Sequence, residues 1–103
     1  MMPEIHLLVI DPTGLHARPA AKFVQLASRF ASRIVIRHGD READAKSLSG
    51  VLGLTLRPST EITVSAEGPD ALAALEALKE ELTPYVTPLI AGSAQLVKGE
   101  LPA

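Results

Sequence analysis

The sequence predicts an α+β fold, and three observations lead there. Short runs of alternating apolar residues exchange with longer runs of helical spacing, in the order β-α-β-β-α-β-α. Clusters of glycine, proline and aspartate mark the joins between them. Hydrophobic residues form 47% of the 103 positions and aromatic residues only 3%, so a single core built from Ala, Val, Leu and Ile is expected. Two arrangements fit that order. One is a ferredoxin-like sandwich with an added helix; the other is an open-faced sandwich, a four-stranded antiparallel sheet with three helices on one face.

Residues 4–10 read as the first strand. Ile5, Leu7 and Val9 alternate with His6 and Leu8, and both faces are fairly apolar, which suits an inner strand. Asp11-Pro12-Thr13-Gly14 ends it with turn residues. In the next run, Arg18, Lys22, Gln25, Arg29 and Ser32 follow spacings of four, three, four and three, one polar face of a helix. Ala20, Ala21, Val24, Ala27 and Ala31 lie opposite, with Phe23 and Phe30 at the flanks. Pro19 falls in the first turn, where a missing N–H costs little. His16 then stands at or beside the N-cap.

Residues 33–37 read as the second strand, with Ile34 and Ile36 facing one way. His38-Gly39-Asp40 is a tight connection, and Arg41-Glu42-Ala43 a short polar strand at a sheet edge. Residues 44–56 read as a second helix with Ser47 as N-cap and Leu48, Val51, Leu52 and Leu54 on its apolar side. Gly50 and Gly53 each weaken it by about 1 kcal/mol relative to alanine, so a short or irregular helix is expected. Residues 60–67 alternate cleanly as a strand, with Ile62, Val64 and Ala66 on one face. Pro69 and Asp70 open a third helix whose expected buried stripe is Leu72, Leu75, Leu78 and Leu82.

The domain is expected to occupy residues 1–82. Residues 83–103 form a C-terminal extension in which Pro84, Pro88, Gly92, Gly99 and Pro102 punctuate an apolar stretch. It is too apolar for a plain linker, so docking on the domain, pairing with another copy, or leading toward a further domain are the expectations.

The net charge of −2 argues against a nucleic-acid footprint. The absence of cysteine removes disulfides and thiol nucleophiles. The start, Met1-Met2-Pro3-Glu4, lacks a signal-peptide pattern, and no apolar run is long enough to span a bilayer, so a cytoplasmic location without membrane insertion is expected. Three scattered histidines without cysteine do not make a metal site. No Gly-x-x-x-x-Gly-Lys-Ser/Thr loop is present.

The chemistry concentrates at Pro12-Thr13-Gly14-Leu15-His16-Ala17-Arg18-Pro19-Ala20-Ala21. The chain passes there from loop to helix, so the first N–H groups, those of Ala17 and Arg18, have no internal partner and favour an anion. A neutral imidazole is a good nucleophile, and the planar Arg18 guanidinium suits phosphate. These features point to His16 as an acceptor of a phosphoryl group, stabilised by Arg18 and held moderately enough to move on.

Gly14-Leu15-His16-Ala17-Arg18-Pro19-Ala20 resembles the active-site signature of HPr, the histidine-containing phosphocarrier family of the bacterial phosphoenolpyruvate-dependent sugar phosphotransferase system. Ala45-Lys46-Ser47-Leu48 resembles that family's regulatory-serine segment, and Thr63-Val64-Ser65-Ala66-Glu67-Gly68 its last strand. The resemblance covers about residues 4–82 and decides for the HPr-like open-faced sandwich. It implies a phosphocarrier rather than an enzyme, without cofactor or metal, phosphorylated on the Nδ1 atom of His16 by phosphorylated enzyme I and passing the group to enzyme IIA domains of sugar permeases. It further implies that Ala17, Ala20, Ala21, Leu48, Ser49, Val51 and Leu52 form the partner-binding surface. Ser47 is the matching acceptor for a regulatory phosphate from a serine kinase. A regulatory binding module and a small hydrolase using Arg18 are the competing readings.

Overall fold

The computed structural model describes residues 2–89 and resolves the alternating pattern into eight elements. These are β1 (Glu4–Val9), α1 (Ala17–Ala27), β2 (Arg33–His38), β3 (Arg41–Asp44), α2 (Leu48–Gly53), β4 (Glu61–Glu67), α3 (Ala71–Leu82) and β5 (Val86–Leu89). The strands form one sheet in the order β3-β2-β4-β1-β5, and every neighbouring pair is antiparallel. A ferredoxin-like sheet is also antiparallel but pairs β1 with β3 at its centre; here β2 pairs β4 and β1 and β3 are not neighbours, so this topology is the open-faced sandwich.

Register puts the apolar residues on one side. Leu7 opposes Ile62, Ile5 opposes Val64, Ile36 opposes Val64 and Ile34 opposes Ala66, and directly opposed residues share a face. Leu7, Val9, Ile34, Ile36, Ile62 and Val64 are all buried there. α1 covers them with Pro19, Ala20, Phe23 and Ala27, and α3 with Ala71, Ala74, Leu75, Leu78 and Leu82. The small residues on both helices let them approach the sheet and one another closely. The other face of the sheet carries pairs such as His6 with Thr63 and Arg33 with Glu67.

The sheet has five strands, one more than the sequence pattern predicts. β5 lies in the expected extension and pairs with β1, Val9 opposing Val86. Pro84 and Pro88 punctuate this stretch, for which docking on the domain is one of the expectations. On an edge strand a proline without an N–H is tolerated. β1 is the inner strand expected from its two apolar faces, and β5 is what makes it one. Residues 90–103 of the extension lie outside the described residues.

Three local readings are corrected. α1 ends at Ala27, so Ser32 leaves the polar face and is buried. His38 closes β2 rather than lying in the turn. Leu72 is 73% exposed and stands outside the buried stripe of α3. The reason for the first and third is one latch. Asp70, the N-cap of α3, accepts the Ala31 N–H (2.9 Å), the Ser32 N–H (2.9 Å) and the Ser32 hydroxyl, and its own N–H donates to Ser32 Oγ (3.1 Å). That network draws Ser32 inward and sets the rotation of α3, so that residues 71, 74, 75, 78 and 82 face the sheet.

The Ser32 hydroxyl first, then the Ala31 and Ser32 N–H groups, hold the Asp70 carboxyl below its ordinary value of 3.8. A depressed folded value stabilises the fold above the unfolded value, and that contribution disappears as pH falls through the folded one. Stability should therefore drop as pH falls below about 3.8. In Asp70→Asn that part of the acid limb should flatten and the urea midpoint at neutral pH should fall; urea titrations at several pH values check both.

Candidate functional site

The loop between β1 and α1 is pinned mainly by backbone groups. The N–H groups of Ile10 and Asp11 both donate to the Tyr85 carbonyl, at 2.9 and 3.2 Å. Asp11 Oδ1 accepts the Thr13 N–H (2.8 Å) and the Thr13 hydroxyl (2.5 Å), while the Asp11 carbonyl accepts the Gly14 N–H (2.8 Å). The Thr13 hydroxyl and N–H hold the Asp11 carboxyl below the usual carboxylate range, and charge on His16 acts in the same direction. Gly14 has φ +68°, and a Cβ built there would lie 2.4 Å from the Leu56 carbonyl oxygen. Only glycine fits so close a left-handed turn. Leu15 then donates its N–H to that same oxygen at 2.9 Å and buries its side chain.

His16 follows as the N-cap of α1, in extended backbone (φ −82°, ψ −168°). Its carbonyl accepts the Ala20 N–H at 3.0 Å, but its side chain makes no capping bond. The imidazole is exposed, as are Ala17 and Arg18. The first turn holds no acidic residue, so its dipole is unopposed there. Pro19 is buried and contributes no N–H, which leaves the Ala17 and Arg18 N–H groups as the earliest free donors. The arrangement is an uncommitted imidazole beside a guanidinium and a helix N-terminus.

α2 packs against α1. Ser47 caps it, accepting the Gly50 N–H on its hydroxyl at 3.2 Å. Replacing Ser47 with alanine should cost about 1 kcal/mol, read from the urea midpoint. Leu48 and Leu52 are exposed to 40% and 39%, large values for leucine, and Ala17 and Ser49 are exposed as well. Ala21 is half-buried. Two expected surface positions are corrected: Ala20 and Val51 are 1% and 2% exposed, because helical spacing turns them into the core. Arg18 and Lys22 on α1, and Arg29 just past its C-cap, are exposed and basic.

Two contributors were silent in the sequence. Leu56 and Tyr85 act on the loop through carbonyl oxygens, which any residue possesses. Gly14 was the one sign of Leu56, since a glycine between Thr13 and Leu15 suggests a close approach. Nothing in the sequence marks Tyr85.

Among the described residues, no helix is long and apolar enough to cross a membrane. Residues 3–83 match the family described as the PTS HPr component phosphorylation site. The chain is 47% identical over 75 residues to the phosphocarrier protein HPr of Lysinibacillus sphaericus, covering 73% of this chain and 85% of that one. It is 53% identical over 68 residues to a multiphosphoryl transfer protein of Xanthomonas campestris; that match takes in 66% of this chain and spans only 8% of the relative's length. The solved histidine-containing phosphocarrier protein of Mycoplasma superposes with a TM-score of 0.78 at 34% identity, over 80% of this chain and 93% of that one. Family, relatives and fold agree: this chain belongs to the HPr family, phosphoryl carriers of the phosphotransferase system rather than enzymes.

Proposed function

We propose that His16 takes a phosphoryl group from phosphorylated enzyme I and passes it to enzyme IIA domains of sugar permeases. The observation that supports this most directly is the exposed His16 side chain, which makes no capping bond at the helix N-terminus it occupies. The imidazole lone pair forms the N–P bond as the donor's bond to phosphorus breaks, its electron pair leaving with the donor. Transfer onward reverses the roles. The added group carries roughly −1.5 to −2 charge. Arg18 and the free N–H groups of Ala17 and Arg18 are placed to receive it.

Leu48 and Leu52, with Ala17, Ala21 and Ser49 around them, form the proposed docking surface. Arg18, Lys22 and Arg29 favour partners with an acidic rim. A phosphate on Ser47 would stand at the edge of that surface and repel such partners.

The test is direct. Incubate the chain with phosphoenolpyruvate and enzyme I, and measure the intact mass before and after mild acid. The expected result is one acid-labile phosphate, absent in His16→Ala. No mass gain with active enzyme I overturns the reading, and so does a phosphate that persists in His16→Ala. Transfer from the labelled chain to purified IIA domains tests the acceptor.

A further inference from the structure

The sheet face turned away from the helices holds a hydroxyl, an imidazole and a carboxylate in hydrogen-bond succession. His6 on β1 and Thr63 on β4 stand directly opposite each other. The Thr63 hydroxyl lies 3.1 Å from His6 Nδ1, and Glu4 Oε2 lies 3.1 Å from His6 Nε2. The chemistry of the three groups sets the direction of the protons. A carboxylate can only accept, so Nε2 carries the hydrogen that it donates to Glu4. In the neutral imidazole Nδ1 then has a lone pair, and the Thr63 hydroxyl donates to it. Nucleophile, base and orienting group follow one another as acyl transfer requires.

The cluster is open to a small molecule. The side chains of His6 and Glu4 are 37% and 40% exposed, and Leu89 faces His6 from β5 as an apolar neighbour. Arg37 faces Thr63 from β2. Directly opposed residues have Cβ atoms about 5 Å apart, within the reach of a long side chain. Among the described residues the ion pairs join His6 to Glu4 and Lys79 to Glu76, so Arg37 is not paired with Glu42 on its other side. Its charge favours the negative oxygen of a tetrahedral intermediate at Thr63.

We propose that Thr63 is a self-acylation site that takes an acyl group from activated esters, with His6 as the base and Glu4 as the residue that orients it. Thr63 Oγ1 bonds to the acyl carbon while its proton passes to His6 Nδ1. The bond from that carbon to the leaving oxygen breaks, its electron pair goes with the oxygen, and the proton follows from Nδ1. Glu4 faces the imidazolium that exists between these two transfers.

The full chain is treated with p-nitrophenyl acetate and digested, and the acetyl group is located by peptide mass. The expected product is an acetyl on Thr63 that hydroxylamine removes, since hydroxylamine cleaves esters and leaves lysine amides. His6→Gln should slow labelling of Thr63 by about a hundredfold. Glu4→Gln should slow it as well, and His38→Gln should label like the unsubstituted chain. Nitrogen-15 NMR separates orientation of the ring from support of the sheet. His6 should carry its proton on Nε2, and Glu4→Gln should move part of it to Nδ1. No acetyl on Thr63, or labelling as fast in His6→Gln as in the unsubstituted chain, overturns the inference. Should His6→Gln melt early, Glu4→Gln decides: labelling that is not slowed overturns the inference too.

Discussion

Gly14→Ala is expected to cost about 2–4 kcal/mol of stability and to slow phosphorylation of His16. A φ of +68° alone costs an alanine roughly 1–2 kcal/mol. The new methyl would also sit 2.4 Å from the Leu56 oxygen, a backbone atom that is held by the Leu15 N–H. Relief requires moving Leu15 or Leu56, which opens that bond and displaces the N-cap that follows. Gly39→Ala is the control. Gly39 has φ +63° but nothing within 4 Å of an added Cβ, so it should cost only the conformational part, roughly 1–2 kcal/mol, and leave phosphorylation unchanged. Urea midpoints compare the stabilities, and phosphorylation by enzyme I compares the sites. Equal losses in the two variants would show that the contact with Leu56 is unimportant.

Phe23→Ala should cost about 3–5 kcal/mol. Phe23 is the largest fully buried side chain, 1% exposed, in a core otherwise built from aliphatic residues. It projects from α1 into the core, against which Phe30 and Tyr85 pack only partly buried. The loss is large enough to threaten folding at physiological temperature for a small domain. Leu72→Ala is the contrasting substitution on α3. At 73% exposure it should change stability by less than about 0.5 kcal/mol, although its spacing alone would have made it core.

That contrast shows where sequence reasoning stops. The identity of β4 was legible because Ile62, Val64 and Ala66 alternate with polar residues. The start of α1 was legible because Pro19 and the Arg18–Lys22–Gln25 spacing agree, and His16 occupies its N-cap as expected. The rotation of α3 was not legible, since Leu72 and Ala71 compete for the inward position and the decision rests on Asp70 reaching Ser32 across 38 residues. For the same reason Ser32 was assigned to a helix that ends before it. The short apolar run of β5 was masked by two prolines whose cost depends on standing at a sheet edge. In the site, the side chains of His16 and Arg18 were readable, whereas the carbonyls of Leu56 and Tyr85 that pin the loop carry no residue-specific signal.

The pairing of β1 has a kinetic consequence. Residues 4–9 bond on one edge to residues 61–67 and on the other to residues 86–89. Neither ladder can form on a nascent chain until those distant residues have left the ribosome. Loop closure over such separations is slow compared with helix formation. α1 can therefore coil early, while the turn before His16 waits for Leu56 and Tyr85. The phosphoryl-accepting end of α1 should be among the last parts to become native during synthesis. Pulsed hydrogen exchange on stalled chains should show protection at Leu15 and Asp11 only after residue 85 is free to fold.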